Sequence, residues 1–133
     1  MSIKQIIVVN NELRSKLRHG KLAAQVSHAS MGAVFSKAFG IPCDNGHIDL
    51  LAIPLEHELE YWFKEKFTKI VLRADNEEHL LEIHKKAEEA GLLNALITDA
   101  GNTVFKEPTI TCVGIGPASE KQLKGITDKL KMY

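Results

Sequence analysis

Lys4-Gln5-Ile6-Ile7-Val8-Val9-Asn10 is a short, unbroken apolar run rich in β-branched residues. Runs of this kind are strands buried on both faces. A strand without a wet face needs a layer above and below it, and the flanking sequence offers helices for both. After a basic polar loop ending at His19-Gly20, residues from Lys21 to about Phe39 have helical spacing. At about 100° per residue, Leu22, Val26, Ala29 and Ala33 share one side, while Ala23, Ser30, Met31 and Val34 cover another. Small residues dominate, so neighbours can approach this helix closely, and the pattern predicts burial over most of its surface.

Further along, Gly40 to Pro54 is rich in turn residues and reads as a long, partly irregular connection. Leu55 to about Phe67 predicts a short helix carrying Tyr61, Trp62 and Phe63 as core. Lys69–Ala74 is a second strand. Asp75 stands as N-cap with Glu78 three residues on, and Leu80, Leu81, Ile83, His84 and Ala87 continue a helix to Gly91. Leu93–Thr98 and Ile110–Ile115 are a third and a fourth strand. Pro117-Ala118-Ser119 leads into a last amphipathic helix through Leu123, Ile126 and Leu130. The order β-α-α-β-α-β-β-α predicts an α/β fold in one domain spanning 1–133, with helices on the sheet faces and mostly parallel strands. The link between the third and fourth strands is too short for a helical crossover, which points to an antiparallel pair there.

The chain has 133 residues, 44% hydrophobic and 26% charged, as expected of a soluble globular domain. No apolar run approaches the roughly 20 residues needed to span a bilayer. The start, Met1-Ser2-Ile3-Lys4-Gln5, lacks the apolar segment of a secretory signal. Cys43 and Cys112 stand in no metal-ligand spacing, so a reduced, cytoplasmic protein is expected. A formal net charge of zero argues against a strong nucleic-acid binder, but the distribution does not. Between Leu13 and Cys43 there is no acidic residue, while Arg14, Lys16, Arg18, Lys21 and Lys37 are basic. This asymmetry makes either one electropositive face or a merely solvated surface.

Lys21, Gln25 and His28 stand at i, i+4 and i+7 on one stripe of the first helix, with Gly32 continuing it. Burying these groups unpaired would cost several kcal/mol, so the stripe faces water, a polar partner or a cleft. Spacing alone leaves a solvated face and a cleft equally open. Asp99-Ala100-Gly101-Asn102-Thr103 directly follows a strand, where ligands of open α/β sheets gather. The same residues also make an ordinary turn, with Asp bonding its own backbone and Gly taking positive φ. Gly114-Ile115-Gly116 is not a dinucleotide fingerprint, because Ser119 fills the third position and no strand follows. No cofactor or metal motif and no nucleophile elbow is present. His79 and His84 fall on a charged surface helix, and His47 and His57 lie in or beside the long connection.

Together these segments resemble the second, archaeal/eukaryotic-type family of peptidyl-tRNA hydrolases. The likeness runs from the first strand through Gly20-Lys21-Leu22-Ala23-Ala24-Gln25-Val26-Ser27-His28-Ala29 and Lys69-Ile70-Val71-Leu72. It continues through Leu96 to Thr103, Gly114-Ile115-Gly116-Pro117 and the ending Leu130-Lys131-Met132-Tyr133. The resemblance implies a compact α/β fold with a mixed four-stranded sheet, often dimeric, with no cofactor and no metal. It implies cleavage of the ester between a peptide and the terminal ribose of tRNA, a translation and ribosome-rescue activity. Lys21, Gln25, Asp99 and Thr103 match positions associated with activity, and His28 and Thr111 match positions near the site. Arg14, Lys16, Arg18 and His19 are expected to contact tRNA, with Thr111. Three departures stand out. The loop Arg14 to His19 is longer and has Arg18-His19 in place of Gly-Lys, residues 40–57 read as an insertion, and a Pro-Gly pair is shifted around Glu107-Pro108-Thr109.

Ester hydrolysis needs an activated water, a stabilised oxyanion and a protonated leaving oxygen. Asp99 can orient or deprotonate the water or hold Lys21, and His28 is the alternative base. Lys21 can stabilise developing charge or a phosphate, while Gln25 and Thr103 supply oriented hydrogen bonds. Two other readings compete: an inactive tRNA- or protein-binding module that recruits a partner through 40–57, and a small-molecule esterase.

Overall fold

The computed structural model describes residues 2–133. Its central sheet has four strands in the order β4-β1-β6-β5: β1 (Ile3–Asn10), β4 (Lys69–Ala74), β5 (Asn94–Asp99) and β6 (Thr109–Ser119). Helix α1 (His19–Phe35) lies against β5 and β6 on one face, and α3 (Glu77–Glu89) covers the other. Alternation along β1 decides the division. Ile6 and Val8 join Leu72, Leu80, Ile83 and Val113 beneath α3, whereas Ile7 and Val9 join Leu17, Ala29, Phe105 and Cys112 beneath α1.

The mixed four-stranded sheet agrees with expectation: β4, β1 and β5 run in one direction. β6 alone is reversed, antiparallel to both its neighbours β1 and β5, so the pair joined by the short link is antiparallel as expected. The chain enters β6 straight from the 100–108 loop and takes the central place between β1 and β5. β6 also runs past Ile115, because Ala118 and Ser119 pair with Lys4 and Ile3 beyond a shift in register. Gly114 lets α1 lie directly on β6, since a Cβ there would overlap the Ala29 carbonyl oxygen. Gln5, fully buried in β1, donates through Nε2 to the Ser30 carbonyl at 3.0 Å, so α1 is also tied to the sheet by a polar contact.

Other local expectations need correction. α1 buries Gln25, Ala29, Ala33 and Val34 but leaves Ala23, Ala24, Ser27, His28 and Met31 exposed. Its small residues serve one close approach to the sheet; the outer side carries no second layer. It ends at Phe35, where the Ser36 hydroxyl donates to the Ala33 carbonyl. The Gly40–Pro54 connection is ordered as a hairpin of β2 (Phe39–Pro42) and β3 (Ile48–Ala52). Gly46 at φ 84° closes its turn.

Helix α2 (His57–Lys64) buries Trp62, whose indole donates to the Thr68 carbonyl, but Phe63, assigned to the core with it, is exposed. Asn76, not Asp75, caps α3 by accepting from the His79 amide. The final helix is a single turn, α4 (Glu120–Leu123), with a Ser119/Gln122 capping box, and Gly125 at φ 82° interrupts the pattern toward Leu130. The chain then turns back along β4, with the Arg73 amide on the Lys131 carbonyl and the Tyr133 amide on Val71. No helix among the described residues is long and apolar enough to cross a membrane.

Candidate active site

Asp99 ends β5 and is 7% exposed, beside the first two turns of α1. One carboxylate oxygen, Oδ2, accepts from the Lys21 ammonium at 2.5 Å and from Gln25 Nε2 at 3.1 Å. The other, Oδ1, accepts the Gly101 amide at 2.9 Å. Gly101 can turn the chain this way because it has φ 87° and sits where a Cβ would strike the backbone of Glu107. Asp99 therefore fulfils both roles the sequence left open: it bonds its own turn and it binds the helix stripe. The hydrogen bond from Lys21 holds its carboxyl below the usual aspartate range, helped by the Gly101 amide against the opposing effect of burial.

The network extends in two directions. Toward solvent, Lys21 Nζ donates to Thr103 Oγ1 at 2.7 Å. Toward the core, the Thr111 hydroxyl donates to Gln25 Oε1 at 2.6 Å. This second bond fixes which way the Gln25 amide faces, since its oxygen takes the Thr111 proton and its nitrogen serves the carboxylate. Cys112 lies underneath with its Sγ 3.3 Å from the Gln25 carbonyl oxygen, and burial pushes its thiol up to about 11. A thiol so protonated at neutral pH is no nucleophile.

These groups open on a cleft of about 360 Å³ whose walls also include Ala24, His28 and Thr98. Depressions of about 340 Å³ and 570 Å³ elsewhere are lined around Trp62 and around Leu123, away from this network. Among the described residues, no hydrogen bond orients His28. The N-terminus of α1 supplies positive potential: Arg18 occupies the N-cap without a side-chain bond, and no acid lies in the first turn.

The predicted site residues thus divide clearly. Lys21, Gln25, Asp99, Thr103 and Thr111 meet in one chain of contacts, with His28 on the cleft wall. Arg14, Lys16, Arg18 and His19 lie exposed in the preceding loop and at the start of α1. Buried Leu17 anchors that loop, and Arg14 is held by Asn11 at 2.9 Å and by the Tyr133 ring, 4.0 Å from its guanidinium. Thr111, expected among the tRNA contacts, is fully buried and reaches the cleft only through Gln25. It sits at the register shift of β6 against β5, between Ile110 opposite Thr98 and Cys112 opposite Ile97, a position that local spacing could not foretell. The Gly101 amide on Asp99 is the turn bond the Asp-Ala-Gly sequence offered, whereas nothing local signalled the Arg14–Tyr133 contact.

The sequence matches the family described as peptidyl-tRNA hydrolase PTH2 over residues 3–133. A protein of Methanopyrus kandleri named peptidyl-tRNA hydrolase is 40% identical over 130 residues, covering 97% of this chain and 97% of that one. The protein so named in Methanothermobacter thermautotrophicus is 35% identical over 130 residues, covering 98% and 99%. That of Thermococcus sibiricus is 36% identical over 129 residues, covering 97% and 96%. With nearly its whole sequence aligned to these relatives and its polar network gathered at one cleft, the chain belongs to the PTH2 family of peptidyl-tRNA hydrolases.

Proposed function

We propose that the chain, as a peptidyl-tRNA hydrolase, cleaves the ester between peptide and tRNA with water as the nucleophile, at the Lys21–Asp99 cleft. The observation that carries this reading is the fixed chain Thr111–Gln25–Asp99–Lys21–Thr103. Asp99 already accepts from Lys21, Gln25 and the Gly101 amide, and its acidity is raised. It is a better anchor than proton acceptor. Its role is to hold the Lys21 ammonium where charge develops on the ester oxygen. Thr103 steadies the same ammonium, and Gln25, aligned by Thr111, keeps the carboxylate in place. His28, exposed on the wall and free of an orienting bond, is the group left to take the proton from water.

Arg14, Lys16, Arg18 and His19, with the uncapped start of α1, receive tRNA phosphates. The whole chain then acts as one hydrolase domain with 40–57 as an insertion. The β2–β3 hairpin that carries the insertion supports a homodimer: Phe39, Ile48, Leu50 and Leu51 are 54%, 69%, 62% and 62% exposed, and among the described residues the hairpin packs extensively on no other element. Such a hairpin is marginal alone, and exposed apolar side chains on both its faces mark it as an interface element. Sedimentation equilibrium tests this, with a monomer at every concentration as the contrary result. The substrate places the enzyme in the cytoplasm, where it returns tRNA from stalled ribosomes.

The test of the substrate class compares N-acetyl-aminoacyl-tRNA with the same amino acid esterified to a small alcohol. Efficient turnover of the tRNA ester alone supports the reading, and equal turnover of both would assign a small-molecule esterase.

A further inference from the structure

We propose that the groove between α1 and the free edge of β5 holds the peptide moiety of the substrate as an added, parallel β-strand. The inference rests on the hydrolase reading and extends it from the ester to the group on its acyl side.

β5 is the last strand of the sheet, so one of its edges is unpaired. The Leu93 carbonyl accepts from the Gly116 amide of β6 at 2.7 Å. In an antiparallel pair such bonds alternate, so Ala95 also faces β6, while Asn94 and Leu96 turn their backbone groups to the open edge. α1 runs beside this edge in the opposite direction: Lys21 stands at the Asp99 end, and Gly32 packs on Ala95 and Ile97. The helix stripe next to it is Ala24, His28, Met31 and Phe35, at i, i+4, i+7 and i+11. Met31 is 60% exposed and Phe35 is 38% exposed, an apolar wall with no described cover. At the far end of the strand a second depression, of about 180 Å³, lies between Ser36, Lys37 and Asn94. The β5 edge thus has a depression at each end, and one of the two is the Lys21–Asp99 cleft.

What fills it follows from the substrate's connectivity and from charge. The ester joins a polyanion to a peptide, so the two must leave the cleft in different directions. Arg14, Lys16, Arg18 and Lys21 lie at the N-terminal end of α1, which suits the polyanion. The apolar Met31–Phe35 side lies at the other end and suits a peptide. The esterified residue is the peptide's C-terminal one, so the peptide enters from the Asn94 end and runs parallel to β5. At about 3.3 Å per residue, the six residues of β5 accommodate about five peptide residues. Binding through backbone groups takes any peptide sequence, with side chains contributing only through the apolar wall.

The experiment is a methyl scan on the substrate, which leaves the enzyme unaltered. N-acetyl-pentapeptidyl-tRNAs carrying one N-methyl group at successive backbone nitrogens are compared with the unmethylated substrate and with N-acetyl-aminoacyl-tRNA. The groove predicts a period of two. Methylation of an edge-facing nitrogen lowers kcat/KM about three- to tenfold, and methylation of its neighbours does much less. In the Met31→Ser/Phe35→Ser variant, the loss falls more heavily on the pentapeptidyl substrate than on the single-residue one. A scan without periodicity, or equal losses for both substrates in the variant, would overturn the groove while leaving the hydrolase intact. Failure of the unaltered enzyme to cleave N-acetyl-aminoacyl-tRNA would remove the hydrolase reading, and the groove with it.

Discussion

Replacing Thr111 by Val tests the network at its buried end. The two side chains have nearly the same shape, so the change removes a hydroxyl without opening a cavity. Thr111 and Gln25 are 0% and 4% exposed, and the hydroxyl donates to Gln25 Oε1 at 2.6 Å. In the variant that oxygen has lost its donor and no water can readily replace it. An orphaned buried acceptor costs about 1–3 kcal/mol. That is a sizeable share of the roughly 5–15 kcal/mol that holds a domain together. At this chain length each kcal/mol lowers Tm by about 3–5 °C, so a thermal melt resolves the effect. The second consequence is chemical. Without Thr111 the Gln25 amide can rotate, and Asp99 loses a fixed donor, so kcat should fall about three- to tenfold with KM little changed. A cycle with Gln25→Ala separates the pair from its parts and should show a coupling of about 1 kcal/mol. Wild-type Tm and kcat in Thr111→Val, or strict additivity in the cycle, would refute the claim that Thr111 aligns Gln25.

Four further predictions rest on the same geometry. Because Lys21 depresses the Asp99 pKa, the acid limb that Asp99 itself contributes to kcat/KM should lie below the usual carboxylate range, and in a His28→Ala background, which lacks the proposed base, Lys21→Met should move that limb upward. By the same linkage, the stability Asp99 contributes is complete above its unfolded value of about 3.9 and is lost as pH falls toward the depressed folded value, so acid melts of wild type and Asp99→Asn should converge there. Arg14→Ala and Lys16→Ala should each reduce the slope of log KM against log salt by about one phosphate contact, with kcat preserved, and an unchanged slope would exclude that loop as the docking surface. Gly114→Ala should cost about 1–3 kcal/mol or more in denaturant titration, because its Cβ overlaps the Ala29 carbonyl oxygen and α1 must lift off β6.

The strands and the main helices were legible because their periodicity is local. Ile6 through Val9 alternate between two cores, and Leu80, Ile83 and Ala87 mark one helix face. What failed were properties set by partners distant in sequence. Nothing near Ile110 shows that β6 will take the central antiparallel place between β1 and β5. The apolar hairpin residues Ile48, Leu50 and Leu51 were hidden among turn formers, and Gly125 stopped a final helix whose apolar spacing continues to Leu130. At the site, the spacing of Lys21, Gln25 and His28 proposed a stripe, but only the fold distinguishes a cleft from a solvated face. Asp99 decides it, approaching from 74 residues beyond Gln25. Thr111 and Tyr133 belong to the same class of information. Their partners, Gln25 and Arg14, are set by sheet register and chain end rather than by any local motif.

The most direct test of the central claim is release of intact tRNA from N-acetyl-aminoacyl-tRNA in EDTA, by wild type beside well-folded Lys21→Ala and Asp99→Asn. The account predicts turnover by wild type and a fall in kcat of about 10²–10³ in each variant, the loss expected when a group stabilising the oxyanion is removed. Wild-type rates in either variant would show that the Lys21–Asp99 pair is not where the ester is cleaved.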